Sequence, residues 1–530
     1  MAPRLIVLGW DSATFDVTGP LMDAGRLPAL KELTTRGFAA PLRSTWPPMT
    51  DCAWTSAFTG RNPGAHGIFG SWYRAPGAYE CRYFSGRDRR VPALWEMTRG
   101  VRHLVWNVPM TFPPEPVDGV MVAGYGAPPG ARFCAPDATQ DELGAEWPLD
   151  ELLDRAPHGS LERFLDELLR GLIAQAEALP WMARRAGADC VVAVWPHIDR
   201  AQHFFWRFRR TDHRFADAVD CVYEAMDRAT GVVIDAFPDA DVLVVSDHGA
   251  GPLEGDVNAG AWLAGNGHAT FTRAERRGAL ELAWRLPPAV RTLGRRLAPG
   301  LARRAMGARL TGQLGAFDWS RTRAFMGFHS DLWLNLEGRE PAGTVAPADA
   351  DGLLDEIADQ ALDLRDPNTD EPVFAGAHRR AEIYAGPAEA LAPDLMLDPW
   401  TAGYRVAPSR EPGGPAVIAP APLAGVHEAW SSDHRPLGIF VGAGPRIASG
   451  GAPELSLYDL CPTALALLEQ PVPEGLDGRA VTEALTADFL ARNPVRTGEP
   501  AGPRPTSAAG YSDDDAAAVA AHLKDLGYIE

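Results

Sequence analysis

The sequence predicts an α/β protein: a doubly wound, mostly parallel sheet with helices on both faces and a large inserted cap. Three observations predict it. Continuous apolar, β-branched runs at 5–8, 103–108, 190–195, 242–245 and 438–441 alternate with helical segments. Uninterrupted apolar strands of this kind are buried on both faces of a parallel sheet. The residues just after three of these runs carry Asp or His, at Asp11, at Asp199 and His203, and at Asp247 and His248. Ligands of open α/β sheets gather at those carboxyl ends. From about 251 to 420 the texture changes to Pro- and Gly-rich joints (Pro287-Pro288, Pro412 to Pro415), Arg-rich helices and a strand pair near 331–336. That stretch reads as an insertion capping the catalytic edge of the sheet.

The expected organisation is a core of 1–250 and 421–496, a cap of 251–420, and a tail of 497–530. The tail opens with a Pro-, Gly-, Ser- and Thr-rich linker and ends in a helix over 513–526.

A chain of 530 residues is too long for one hydrophobic core, so more than one folding unit is expected. At 46% hydrophobic and 22% charged, its composition is that of an ordinary globular protein. No apolar run reaches the ~18 residues of a membrane-spanning helix. The N-terminus enters the first strand at Leu5, too short a lead for a signal peptide, so a cytoplasmic protein is expected. The six cysteines are scattered without a C-x-x-C pair, which argues for small buried hydrophobes over a disulfide frame or a cysteine zinc site. A net charge of −19 excludes a broad nucleic-acid footprint. The local exception is 273–309, with ten Arg against two Glu. Such a stretch is either a solvated helical face or a basic cover that attracts an anionic substrate or membrane surface.

The chemistry starts at Pro47-Pro48-Met49-Thr50, an extended lead followed by a helix, with Thr50 at its N-cap or first turn. A hydroxyl there faces free N–H groups and the positive end of the helix dipole, a ready phosphate cradle. A threonine hydroxyl is a poor nucleophile until its pKa is lowered, which a divalent cation can do. Asp199 and His203 are spaced i, i+4 and project from one face of a helical turn. Asp247 and His248 are adjacent in a loop. Each pair alone is a weak signal, and the ordered set is a strong one.

That order begins with Asp11, then P-P-x-T with W-T-S-x-x-T-G-x-N-P-G-x-H-G-I, and D-x-x-x-H. It continues through S-D-H-G to a late Asp433-His434-Arg435-Pro436. It resembles the alkaline phosphatase superfamily, nearest its type I phosphodiesterase/nucleotide pyrophosphatase branch and the phosphohydrolase/phosphomutase proteins related to it. The resemblance extends into the cap at Asn335-Leu336-Glu337-Gly338-Arg339-Glu340-Pro341 and to the closing Asp459-Leu460-Cys461-Pro462-Thr463. It implies an alkaline phosphatase-like fold and two divalent metal ions, Zn2+ with Mn2+ as the alternative. Asp11, Thr50, Asp247 and His248 would hold one ion, and Asp199, His203 and His434 the other. Thr50 would attack phosphorus, and water would hydrolyse the resulting phosphothreonine. The implied partner is a small-molecule phosphate ester or diester.

Among the remaining histidines, His66 is expected to shape a turn, and His434 is preferred to His427 as a ligand. His329 in the cap and Ser71 are candidate substrate contacts. Ser71 stands where the nucleotide phosphodiesterases carry an Asn that binds a phosphate oxygen, which weakens a bet on nucleotide diesters. Rival outcomes are a phosphomutase, a phosphoryl or sulfuryl transferase, or a metal-bound module without catalysis.

Overall fold

The apolar runs form the centre of a ten-stranded sheet in the computed structural model. It describes residues 2–504 apart from 75–76, 80, 129, 154–158, 273–316, 328–329, 408–413 and 421–429, together with residue 519. The strands are β1 (Leu5–Trp10), β2 (Phe38–Arg43), β3 (His103–Trp106), β4 (Gly119–Val122), β5 (Cys134–Ala135), β6 (Cys190–Trp195), β7 (Asp241–Val245), β8 (Leu437–Ala443) and β9 (Gly450–Gly451). Their spatial order is β9-β2-β8-β7-β1-β6-β3-β4-β5, and Leu455–Ser456 adds a further pairing to β2. β1 pairs in parallel with β6 and β7, placing Leu5 opposite both Cys190 and Asp241. β3 runs parallel to β6 and β4. Only β8 against β2 and β7, and β5 against β4, are antiparallel. Every residue of β1, β6 and β7 is buried, as strands covered on both faces must be. The mostly parallel, doubly covered sheet expected from the sequence is the fold observed.

Four helices matter to the site: α1 (Thr50–Thr59), α2 (Leu161–Ala186), α3 (His197–Phe205) and α4 (Ala218–Ala236). α2 is capped by the Ser160 hydroxyl, which accepts from Arg163 N, and stops at Gly187, whose φ of 60° ends it in the left-handed conformation. α1 stops the same way at Gly60, φ 65°. Gly9 in β1 acts through its missing side chain. A Cβ there would lie 2.5 Å from the ring of Trp54 on α1, so glycine lets that indole lie against the strand.

A second apolar cluster runs from Val257 to Val417. It contains a four-stranded sheet of Ala324–Met326, Asp331–Leu334, Leu395–Leu397 and Ala377–Arg379, and a three-stranded one in which Gly255–Asn258 lies between Tyr404–Ala407 and Val417–Ile418. The Asn335-to-Pro341 stretch that matched the superfamily serves structure. Asn335 Nδ2 donates to the carbonyls of Trp319, Thr322 and Ala342, while its Oδ1 accepts from Tyr79 OH. Tyr79 also stacks on Trp319, with ring centroids 3.7 Å apart. Arg74, on the Trp72–Arg74 strand, reaches Glu340 at 2.7 Å. These contacts clamp the 72–83 hairpin to the second apolar cluster.

Asp394 is the hub beside that clamp. It accepts from Leu334 N at 2.8 Å, from both terminal nitrogens of Arg339 at 2.6 and 2.7 Å, and from Arg380 at 2.7 Å. Its carboxylate is 2% exposed. Asp394→Ala strands two guanidinium groups and a backbone N–H, so a loss of about 3–5 kcal/mol is expected in urea unfolding. A change below ~1 kcal/mol would mean that the network is screened like a surface pair.

The tail is described over 497–504 and at residue 519. Thr497–Gly498 pairs with Val472–Pro473, and Arg504 bonds Glu96 at 3.0 Å and also Glu115. Thr497, Gly498 and Arg504 are therefore tied to the core, while most of 497–504 stays exposed. The helix expected over 513–526 lies outside the described residues except at Val519, which is helical and buried. Among the described residues, no helix is long and apolar enough to cross a membrane.

Candidate metal centre

The carboxyl ends of β1, β6 and β7 meet over α1. β1 delivers Asp11, β6 leads into α3 with Asp199 and His203, and β7 leads to Asp247 and His248. His434 arrives from the Ser432–Arg435 strand, which pairs antiparallel with Gly249–Pro252 directly after His248. All six side chains are buried. They fall into two groups, Asp199 with His203 and His434, and Asp11 with Asp247 and His248. The potential ligand atoms of each group lie within 4.8 Å of one another. His248 and His434 stack across the two groups at 3.8 Å between centroids. Thr50, the first residue of α1, places Oγ1 3.3 Å from His248 Nε2.

Hydrogen bonds fix which nitrogen each imidazole offers. Nδ1 of His203 donates to Ser432 O, that of His434 to Pro48 O, and that of His248 to Gly249 O, at 3.0, 2.8 and 3.0 Å. A carbonyl can only accept, so Nδ1 carries a proton, and Nε2 is the nitrogen left to offer a lone pair to a cation. The lone pairs converge. His203 Nε2 lies 3.3 Å from His434 Nε2, and His248 Nε2 lies 3.2 Å from Asp247 Oδ2. Asp247 Oδ2 and Asp11 Oδ1 have no hydrogen-bond partner among the described residues. Acceptors packed at such distances repel unless a positive charge sits between them, so the donor set fits divalent cations. Its mixture of carboxylate oxygen and imidazole nitrogen suits Zn2+ or Mn2+.

The electrostatics agree. Burial, followed by repulsion from Asp247 and Asp199, holds the Asp11 carboxyl well above its ordinary range. Burial also raises Asp247. Burial opposes a charged His434, yet hydrogen bonding and attraction from Asp199 raise it. The cluster is short of positive charge.

Several supporting groups were not singled out from the sequence. Trp54, seated against Gly9, donates its indole N–H to Asp11 Oδ2 at 3.1 Å. Ser12 N donates to Asp247 Oδ1 at 3.2 Å, and Trp430 stacks on His203 at 3.6 Å. The signal for Trp54 was present, since a glycine in a buried strand implies a close neighbour. The other two depend on long-range pairing that local pattern does not carry.

The secondary candidates fare differently. Burial raises the Asp51 carboxyl, next to Thr50 in the chain, and the nearby Ser71 hydroxyl partly offsets that rise. His329 and His427 lie outside the described residues, as does the Arg-rich stretch of 273–309 apart from what flanks it. His66 is structural. Its Nδ1 accepts from Ile68 N at 3.1 Å, and its Nε2 meets Ser56 Oγ at 2.9 Å. Burial, then repulsion from Arg89 and Arg61, lowers its pKa to about 3. The unfolded chain therefore takes up this proton first, and stability is lost as pH falls from ~6.5 toward 3. Between pH 7.5 and 5 this single group should remove about 2 kcal/mol. Urea unfolding of the wild type and of His66→Gln at both pH values checks it; equal pH slopes would refute the assignment.

The family profile described as type I phosphodiesterase / nucleotide pyrophosphatase matches residues 5–419. No curated protein matches the chain. Among solved structures, phosphonoacetate hydrolase from Sinorhizobium meliloti 1021 in complex with phosphonoacetate is similar, with a TM-score of 0.53 and 16% identity. That match covers 87% of this chain and 94% of the hydrolase. The same enzyme with phosphonoformate gives a TM-score of 0.50 at the same identity and coverage. Human ectonucleotide pyrophosphatase / phosphodiesterase 5 aligns with a TM-score of 0.49 and 11% identity over 91% of this chain and 100% of that one. At such identities the hydrolase likeness speaks for the fold, while the profile spans most of the sequence. The chain belongs to the type I phosphodiesterase/nucleotide pyrophosphatase family, phosphoric ester hydrolases of the alkaline phosphatase superfamily.

Proposed function

We propose that the chain hydrolyses small-molecule phosphate esters or diesters, with Thr50 as nucleophile between two divalent cations, Zn2+ or alternatively Mn2+. The observation that carries this reading is the position of Thr50 Oγ1 at the start of a helix, 3.3 Å from His248 Nε2 in one of the two ligand groups. Asp11, Asp247 and His248 with Thr50 would hold one cation, and Asp199, His203 and His434 the other. Cations held there would lower the pKa of the Thr50 hydroxyl and neutralise phosphoryl oxygens.

The chain's own groups do the rest. Met49 precedes α1 without a side-chain cap, so the first N–H groups of the helix remain available to a phosphoryl oxygen. Thr50 Oγ forms the new bond to phosphorus while the bond to the leaving oxygen breaks and the alcohol departs with a proton. Water then cleaves the bond from phosphorus to Thr50, returning the free hydroxyl and releasing phosphate from a monoester or the remaining phosphate monoester from a diester. Ser71, whose hydroxyl lies near Asp51 beside the nucleophile, is the proposed contact on the substrate side. The six cysteines are unpaired, which favours a cytoplasmic setting.

Substrate choice is assigned to the inserted region, 251–420. Trp46, four residues before Thr50, meets His378 at 5.1 Å and Trp400 at 6.2 Å between ring centroids. Tyr384 OH holds the Trp46 carbonyl at 3.1 Å. The test is hydrolysis of p-nitrophenyl phosphate and its bis-ester by Zn2+- and Mn2+-loaded protein. The wild type should cleave at least one of them. His378→Ala and Trp400→Ala should change the ratio between larger esters about tenfold, with the smallest aryl phosphate spared. No turnover with either metal would refute the hydrolase reading, and equal losses on all esters would refute the division of labour.

A further inference from the structure

We infer that Gln202 is a positioning residue that couples the two ligand groups, setting the register in which they take up cations. The inference rests on the two-cation reading above. α3 carries Asp199 and His203 toward one group, and Gln202, between them, is fully buried and points at the other. Its Nε2 donates to Ser12 O at 2.9 Å and to Ser12 Oγ at 3.1 Å. Ser12 follows Asp11 directly and sends its own N–H to Asp247 Oδ1 at 3.2 Å. One side chain on the helix of the second group thus holds the residue that links both carboxylates of the first.

The orientation of the amide is determined. Ser12 O only accepts, so it must face the NH2 group. Gln202 Oε1 takes the Tyr223 hydroxyl at 3.2 Å, and Tyr223 oxygen accepts in turn from Thr14 N at 3.4 Å. Tyr223 belongs to α4 and is fully buried. The hydrogen-bond chain therefore runs from Thr14 and Tyr223 through Gln202 and Ser12 to Asp247, with every donor aimed at an acceptor.

Ser12 needs this hold. Its φ of 67° lies in the left-handed region, which a residue with a Cβ enters only at some cost. Without Gln202, Ser12 keeps only the bonds from its N–H to Asp247 and from its hydroxyl to Gly249 O, so Asp11 and Asp247 are held less firmly. A residue that only filled the core would leave the separation between the two groups unchanged when replaced by an apolar side chain of similar size. A positioning residue would not.

The experiment is a Zn2+ titration against a competing chromophoric chelator, on wild type, Gln202→Met and Tyr223→Phe, with thermal unfolding of each metal-free protein alongside. Tyr223→Phe removes one hydroxyl and keeps the volume, so it reports even where Gln202→Met folds poorly. Loss of such a supporting group is expected to weaken cation binding about 10–100-fold for Gln202→Met and several-fold for Tyr223→Phe. The double variant should lose little more than Gln202→Met alone, because both act through one chain of bonds. Wild-type Zn2+ binding with both variants within twofold of it, and only the metal-free melting temperature lowered, overturns the coupling role and leaves the two-cation reading standing. A wild type that takes up no Zn2+ overturns both.

Discussion

Thr50→Ala is expected to abolish turnover while fold and metal content persist, a fall of at least about a thousandfold, or roughly 4 kcal/mol of transition-state stabilisation. The substitution is clean because Thr50 is the first helical residue and not the cap. Met49 occupies the N-cap with extended backbone, φ −117° and ψ 135°. Alanine favours a helix at least as well as threonine there. The Thr50 hydroxyl meets His248 Nε2, an atom that also faces Asp247 and Asp11, so its removal leaves that nitrogen among the same neighbours. Thr50→Ser should retain measurable activity, since it keeps the oxygen and loses only the methyl group that limits χ1. Trapping of phosphate on the wild type but not on Thr50→Ala, by rapid acid quench and mass measurement, would identify the covalent step. Turnover of Thr50→Ala within tenfold of wild type, only ~1.4 kcal/mol, would remove Thr50 from the chemistry.

What the sequence made legible follows from where the information sits. The runs at 5–8, 190–195 and 242–245 are continuous and apolar because their strands are covered on both faces, and all three became central strands. Edge and antiparallel members were harder. β2 alternates buried and half-exposed residues and contains Pro41, so it lacks the run that betrays a central strand. The Ser432–Arg435 strand is polar throughout, and its pairing with Gly249–Pro252 spans nearly two hundred residues of chain. No local pattern reveals that pairing, and His434 entered the candidate set only through its motif. The Asn335-to-Pro341 motif teaches the opposite lesson. Its polar residues hold backbone carbonyls and a neighbouring hairpin together, a role that a list of charged side chains does not distinguish from substrate binding. Gln202 is a third kind of case. Its spacing on α3 between Asp199 and His203 was visible, but its partner Ser12 lies 190 residues away.

Purified protein is expected to carry close to two divalent ions, and removing them should destabilise it. The six ligand side chains are buried, and three of them are carboxylates, Asp11 and Asp247 in one group and Asp199 in the other, that repel one another. Burying such groups without positive charge is costly, and a dication reverses the sign of that cost. At free metal concentrations a thousandfold above Kd, one site contributes about 4 kcal/mol to folding, so chelation should lower the melting temperature and Zn2+ should restore it. The groups should also separate genetically. Asp199→Ala and His434→Ala strip ligands from one group and leave Asp11, Asp247 and His248 intact, so elemental analysis should fall from two ions toward one. The same substitutions should slow turnover by more than a hundredfold, because the neighbouring group alone cannot clamp both ends of an in-line displacement. His434→Ala should be the more disruptive of the two for the pair as a whole, since its ring also stacks on His248 at 3.8 Å. An absence of bound metal after supplementation, with activity intact in chelator, would defeat the two-cation mechanism. Asp199→Ala retaining two ions and normal turnover would defeat the assignment of that group.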